Sequence, residues 1–533
     1  MGRKKFYSVI LVTILTGLLF SACTVWGAGD TPTWKSDTSP ITFDWYINYS
    51  WFGAKWGVDA TSQYITEKTG VSLNLIAPAG NENEKLNTMI ASNSLPDFIT
   101  LGWWEEPLRK MVEGDLLYPL NKLADKYDLY FYKVAVPARL NWYRQNDGNI
   151  YGYPNASYSP SDIKQYKVKS NQTFEVRKDI YEAIGKPDMR TPEGFLKALK
   201  MAKEKFPTVN GQPLIPIGFH EFTDVGCSSL EGYLQNFLAI PPEINGKYQD
   251  PTLGFNNPEY VRWLKTLRKA NEMGLLAKDI FIDKRSQMEE KIAQGRYFAL
   301  LYQRTDLDTQ NASLYVKNPN EYYMAVDGPA NSKLSPPTLQ DPGVAGWTVT
   351  LISKNCKNPK RAIQFLSYCL SEEGQHDFYF GKKGVCYEDL DGKSQFLPDV
   401  LKLRNTNRAA FDARYGGSKK YWMLMDGPML DQWEPEEPMP TKQLADWTIG
   451  KLVSKSAYFN AIPPSDSEEG IIQKKISNLW GITLPKLLLA KSEKEFDKIW
   501  NDLQAKKMKL GYAKVQKWQQ AKVNENKQKL GIK

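Results

Sequence analysis

From residue 41 onward the chain runs through short apolar–polar patterns whose period changes every ten residues or so. Ile41, Phe43, Trp45 and Ile47 hold every second place in "ITFDWYI", which predicts a half-buried strand that breaks at Asn48. Residues 59–69 have helical character, Gly70 stands where a helix C-cap is needed, and "VSLNLIAP" predicts a second strand. Leu86, Met89 and Ile90 mark one face of a helix, and Pro96 leads into a short strand over Phe98–Leu101. Strand, helix, strand, helix, strand in this order predicts βαβ units around a parallel sheet.

Similar patterns return downstream. Thr191 caps a helix that has Pro192 at its first position and Glu193 next. "LIPIGFH", "YFALLYQR" and "GWTVTLISK" predict buried strands. Asn358–Pro359 starts an amphipathic helix expected to end at Gly374. Asp391–Gly392 between apolar segments predicts a hairpin turn; Tyr387 stands where a calcium loop needs its first acid. Helical patterns dominate beyond about residue 400, and Phe496, Ile499, Trp500 and Leu503 form one apolar helix face. The fold class is α/β with helical additions, without internal repeats.

The chain start follows different rules. Arg3, Lys4 and Lys5 precede an apolar run over Val9–Phe20, too short for a comfortable membrane span, and Ser21 and Ala22 follow as small residues. This is the anatomy of an export signal over 1–22. Small-small-Cys at Cys23 resembles the bacterial lipobox, whose cysteine is lipidated, although Phe20 stands where Leu is usual; the alternative is an ordinary cleaved signal with a chance cysteine. Residues 23–40 then read as a flexible tether.

Composition narrows the function. The formal charge of +9 over 533 residues includes three positives in the signal and a Lys-rich stretch over 486–533 that reads as solvated helix. No basic patch interleaved with stacking aromatics supports nucleic-acid binding. Of five cysteines, Cys227, Cys356, Cys369 and Cys386 could pair in three ways, but they are scattered and no CxxC occurs. Only His220 and His376 are histidines, and GxSxG, HExxH and Walker motifs are absent, so an enzyme is disfavoured. The unusual item is aromatic: 16 Trp, 29 Tyr and 22 Phe.

Several aromatics directly follow predicted strands, where open α/β sheets bind ligands. These ends carry Asn48, Tyr49 and Trp51; Trp103, Trp104 and Glu105; Phe219, His220 and Glu221; and Tyr302, Gln303, Arg304 and Asp306. Indole and phenol faces suit the apolar faces of sugar rings, while amides, carboxylates and Arg suit hydroxyl pairs. Of the adjacent indoles, Trp103 is expected to be the ligand platform and Trp104 to pack into its own lobe. Carboxylates match or outnumber cations at the candidate positions, so a neutral or weakly charged sugar is expected.

"KLNTMIASNSLPDFIT", "DGNIYGYPN", "VRKDIYEAIGKP", "TPEGFLKALK", "NPKRAIQFLSYCLSEEGQ" and "FGKKGV" closely resemble bacterial family 1 extracellular solute-binding proteins. The nearest look is the large lipoprotein subset that includes alginate-oligosaccharide-binding proteins. The resemblance implies a two-lobed binding-protein fold: a first lobe from 41–155 and 325–395, a second from 156–324 and 396–533. It implies an oligosaccharide held in the interlobe cleft and delivered to ABC-transporter permease subunits by a monomer held at the outer face of the cell membrane through Cys23. Carried over by position, it adds Asn155, Trp347, Trp422 and Asp426 to the ligand-facing candidates and supports Trp103, Glu105, Tyr302 and Arg304. No cofactor is implied. Relatives often carry a calcium loop after the helix matching 191–206, but here Phe206 and Thr208 replace oxygen ligands, so a plain turn is expected at Asn210–Gly211. A sensor-kinase partner and, less favoured, a polysaccharide-active surface enzyme are the alternative functions.

Overall fold

A computed structural model describes residues 31–532. The expected export signal and Cys23 therefore lie outside the described residues. Among the described residues no helix is long and apolar enough to cross a membrane.

In chain order the strands that build the two main sheets are β1 (Ile41–Ile47), β2 (Val71–Ile76), β3 (Phe98–Gly102), β4 (Gly152–Pro154) and β5 (Gln172–Arg177). They continue with β6 (Ile215–Gly218), β7 (Tyr297–Gln303), β8 (Tyr323–Ala325) and β9 (Thr348–Ile352). One sheet has the order β2-β1-β3-β9-β4 and the other β8-β5-β7-β6. β1 runs parallel to β2 and β3, as the βαβ pattern predicts. β9 returns from the second sheet and runs antiparallel to β3 and β4, so the sheet is mixed rather than parallel.

Each sheet has its own core. Phe43, Trp45, Ile47, Phe98, Ile99, Val349 and Leu351 pack with Phe365, Leu366 and Tyr368 in the first. Phe174, Val176, Ile217, Leu300 and Trp263 pack in the second with Trp480, Leu484, Leu487, Phe496, Trp500 and Leu503 from the late helices. Residues from 379 to 430 build a smaller cluster, and Tyr421–Leu424 join the first core, although the expected division at 396 assigned them to the second lobe. The two cores make a two-lobed α/β fold with extra C-terminal helices.

Local rules explain most element ends. Asp59 caps the helix Ala60–Thr69 by accepting from Ser62 N at 2.9 Å, and Gly70 (φ 71°) closes it. The helix begun at Asn358 stops at Leu370, not Gly374. Ser371 turns extended there and caps a second helix, Glu372–Phe380, by accepting from Gly374 N at 3.0 Å. Gly374 is fixed by crowding, since a Cβ would lie 1.8 Å from Tyr368 O. Asp391–Gly392 forms the expected hairpin turn, with both residues at positive φ. Asn210–Gly211 does the same between Thr208–Val209 and Gln212–Pro213, while Phe206 packs against the second core. That segment offers a hairpin and an apolar ring where a calcium cage would need oxygens.

Candidate functional site

The carboxyl ends of β1 and β3 lie beside the start of β9, where Thr348 pairs with Gly102 and Asn48 N donates to Thr100 O at 2.9 Å. One sheet edge therefore gathers Asn48–Trp51, Trp103–Glu105 and Trp347. Asn48 is fully buried; its Nδ2 donates to Glu105 Oε2 at 2.5 Å and its Oδ1 accepts from Tyr46 at 3.0 Å. Glu105 Oε1 accepts from Gly102 N at 2.6 Å. Burial raises the Glu105 carboxyl, and the Gly102 and Asn48 donors oppose that. Contrary to expectation, Asn48 and Glu105 spend their polar atoms bracing this edge against each other.

The adjacent indoles are placed the other way round from the expectation: Trp103 is engaged by partners and Trp104 is open. Trp103 Nε1 donates to Gly346 O at 2.9 Å, and its ring stacks on Phe459 at 5.9 Å and 24°. Trp104 is 47% exposed and lines a cavity of about 800 Å³. Strand β3 ends at Gly102, the two rings lie nearly perpendicular at 88°, and the Trp103 ring meets Phe459 from the loop after Tyr458.

The facing wall of the cavity comes from the second lobe. His220 follows β6, Tyr302 lies on β7, and Asp306 sits in the first turn of the helix Arg304–Lys317. The His220 ring stacks on Tyr302 at 4.2 Å. Ser229 Oγ donates to Leu301 O at 2.6 Å and receives both His220 N and Nδ1, the latter at 2.7 Å. Burial, helped by the Arg285 guanidinium, lowers His220 to about 3, so its imidazole is neutral. Its Nε2 lies 4.0 Å from Asp306 Oδ2. Asp306 Oδ1 accepts from Gln303 at 3.1 Å and pairs with Arg285 at 3.2 Å; burial raises its carboxyl against that cation.

Sequence reasoning missed Glu231, Arg285 and the cavity edge formed by Ile462, Ser465, Gln473 and Lys474. Nothing local marks Glu231, whose buried carboxylate meets Cys227 and the distant Trp480.

Other expected ligand residues are built into the frame. Arg304 Nε donates to Ser170 O at 2.8 Å and turns toward Glu437. Asn155 is fully buried, with Nδ2 donating to Trp422 O at 2.9 Å and Oδ1 accepting from Thr348 N at 2.7 Å. Asp426 forms a buried ion pair with Arg139 and caps the helix Gly427–Trp433. Trp422 is buried beneath Trp347, 4.5 Å away. Trp51 lies parallel to Trp347 at 5.9 Å and remains 59% exposed, forming an aromatic platform separate from the cavity lining. The four described cysteines are buried and unpaired. Among the described residues, no three His, Cys, Asp or Glu side chains are grouped to hold a metal.

Two α/β lobes flank a cavity walled by an open indole and by polar side chains, the arrangement of a small-ligand site. A model of the bacterial extracellular solute-binding protein family matches residues 60–384, and the chain belongs to that family. Comparison with curated protein sequences gives no match. The fold is similar to alginate-binding protein AlgQ2 without calcium ion, at TM-score 0.63 and 20% identity over 91% of this chain and 98% of that one. It is also similar to the Streptococcus pneumoniae ABC-transporter substrate binding protein FusA in complex with kestose, at TM-score 0.65 and 17% identity over 91% and 99%. A third similar structure is the N-glycan transport solute binding protein NgtS of the same species, at TM-score 0.59 and 19% identity over 92% and 99%.

Proposed function

We propose that this protein binds an oligosaccharide between Trp104 and the His220–Tyr302–Asp306 wall and hands it to the permease of an ABC transporter. The observation that carries this reading is the exposed Trp104 indole across an 800 Å³ cavity from hydrogen-bonding side chains. That volume lies within the usual range for small-ligand sites, and the indole suits the C–H face of a sugar ring. Alginate, kestose and N-glycan in the names of similar structures support the same ligand class. In this reading the two discontinuous lobes close over the sugar. The protein works as a monomer, and lipid on Cys23 keeps it beside its permease at the outer face of the membrane.

A thermal-shift screen against plant, algal and host oligosaccharides tests the binding. At least one should raise the melting temperature saturably, because a ligand of the folded state stabilises it by mass action; no shift across the panel would reject the reading. Fractionation of cells producing Cys23→Ala tests the anchor. The variant should leave the membrane fraction or remain uncleaved; unchanged, lipid-labelled protein would reject lipidation at Cys23.

A further inference from the structure

We propose that the second-lobe wall of the cavity is an acceptor surface, set by His220, Asp306 and Glu231, that selects uncharged, hydroxyl-donating sugars and excludes uronic ones. This rests on the reading that the cavity binds an oligosaccharide, and it goes further by fixing the charge class.

Ser229 fixes the tautomer of His220. Its single hydroxyl proton goes to Leu301 O, so its oxygen must receive the His220 Nδ1 proton. The neutral ring then carries its lone pair on Nε2, which lies 4.0 Å from Asp306 Oδ2. Two acceptors side by side are complementary to a donor placed between them, such as a sugar hydroxyl.

Glu231 is the third acceptor. Its side chain is 7% exposed and lines the cavity. Oε1 accepts from Cys227 N at 3.0 Å and Trp480 Nε1 at 2.8 Å, while Oε2 has no hydrogen-bond partner among the described residues. Burial raises the Glu231 carboxyl to about 7, against the Trp480 and Cys227 donors. Above that value its free oxygen is a desolvated acceptor that a ligand O–H satisfies, whereas a ligand carboxylate there would leave two anions unpaired.

The cations of the cavity do not reverse this preference. Arg285 is held by Glu289 at 2.8 Å and Asp306 at 3.2 Å. Lys474 is exposed at the edge, where water and salt screen it.

The test is calorimetry on a panel pairing neutral gluco-, manno- and galacto-oligosaccharides with the glucuronic, mannuronic and galacturonic oligomers of equal length. The wild type should bind only from the neutral half. Glu231→Gln and Asp306→Asn, both verified as folded by their melts, should each weaken the neutral ligand about tenfold or more by losing a charged acceptor. Each should also narrow the gap to the uronic counterpart, because the new amide offers a donor. A wild type that binds a uronic oligomer as tightly as its neutral counterpart would overturn the proposal. So would two folded variants with unchanged affinity and selectivity. Absence of binding across the panel would instead overturn the oligosaccharide reading itself, and this proposal with it.

Discussion

Trp103 and Trp104 are neighbours in the chain and touch edge to face, with centroids 5.4 Å apart and planes at 88°, yet they serve different parts of the protein. Trp103 closes the gap between the first core and Phe459, and Trp104 faces the cavity. Trp104→Ala should cost about 1–3 kcal/mol of ligand binding with little change in melting temperature, since it removes an open stacking surface. Trp103→Ala should cost about 2–4 kcal/mol of stability by leaving Phe459 and Gly346 O without their partner. Calorimetry and thermal melts on both variants separate the two effects.

The buried ion pair of Arg139 and Asp426 gives a stability prediction. Arg139 Nη2 also donates to Ser157 O at 2.8 Å, which ties the crossover after β4 to the helix Gly427–Trp433. Asp426→Ala leaves a buried guanidinium without its counter-ion and should cost about 3–5 kcal/mol in chemical denaturation. A loss of sugar affinity without a loss of stability would mean that Asp426 serves ligand instead.

Glu175 gives a pH signature. It is fully buried on β5, and burial pushes its carboxyl up to about 8, opposed by the Thr173 hydroxyl. A folded value above the ordinary 4.5 means that the folded protein keeps a proton the unfolded chain loses. Its contribution to stability is therefore complete below pH 4.5 and is lost as pH rises through about 8. Glu175→Gln should raise the melting temperature at pH 9 and change it little at pH 4. Parallel curves for the two proteins across that range would contradict the assignment.

At the edge of the cavity, the helix Glu106–Glu113 meets the loop ahead of the helix Glu468–Leu488. Arg109 pairs with Asp466 at 3.2 Å, and Ser465 donates to Glu106 at 3.1 Å. Asp466→Ala should speed ligand dissociation by a few-fold at low salt, with the difference shrinking as salt screens the exposed pair. Stopped-flow release at two ionic strengths measures it.

The period-two run of β1, the caps at Gly70, Thr191 and Asn358 and the turns at Asp391–Gly392 were legible because local stereochemistry decides them. The strand-end rule also named His220, Tyr302 and Asp306, which line the cavity together with Trp104. Partners distant in the chain were not legible. Trp103 stacks on Phe459, Asp426 pairs with Arg139 and Asn155 donates to Trp422, so three residues that read as ligand-facing from the sequence are engaged by partners distant in the chain. Glu231 escaped notice for the same reason, since Trp480 is needed to hold its carboxylate beside the cavity.

The central claim, that the cavity at Trp104 binds an oligosaccharide, is tested most directly by running the oligosaccharide melting screen on the wild type and Trp104→Ala together. At least one sugar should raise the wild-type melting temperature by several degrees and shift the variant far less, while the unliganded proteins melt alike. Equal shifts in both proteins, or none in either, would contradict it.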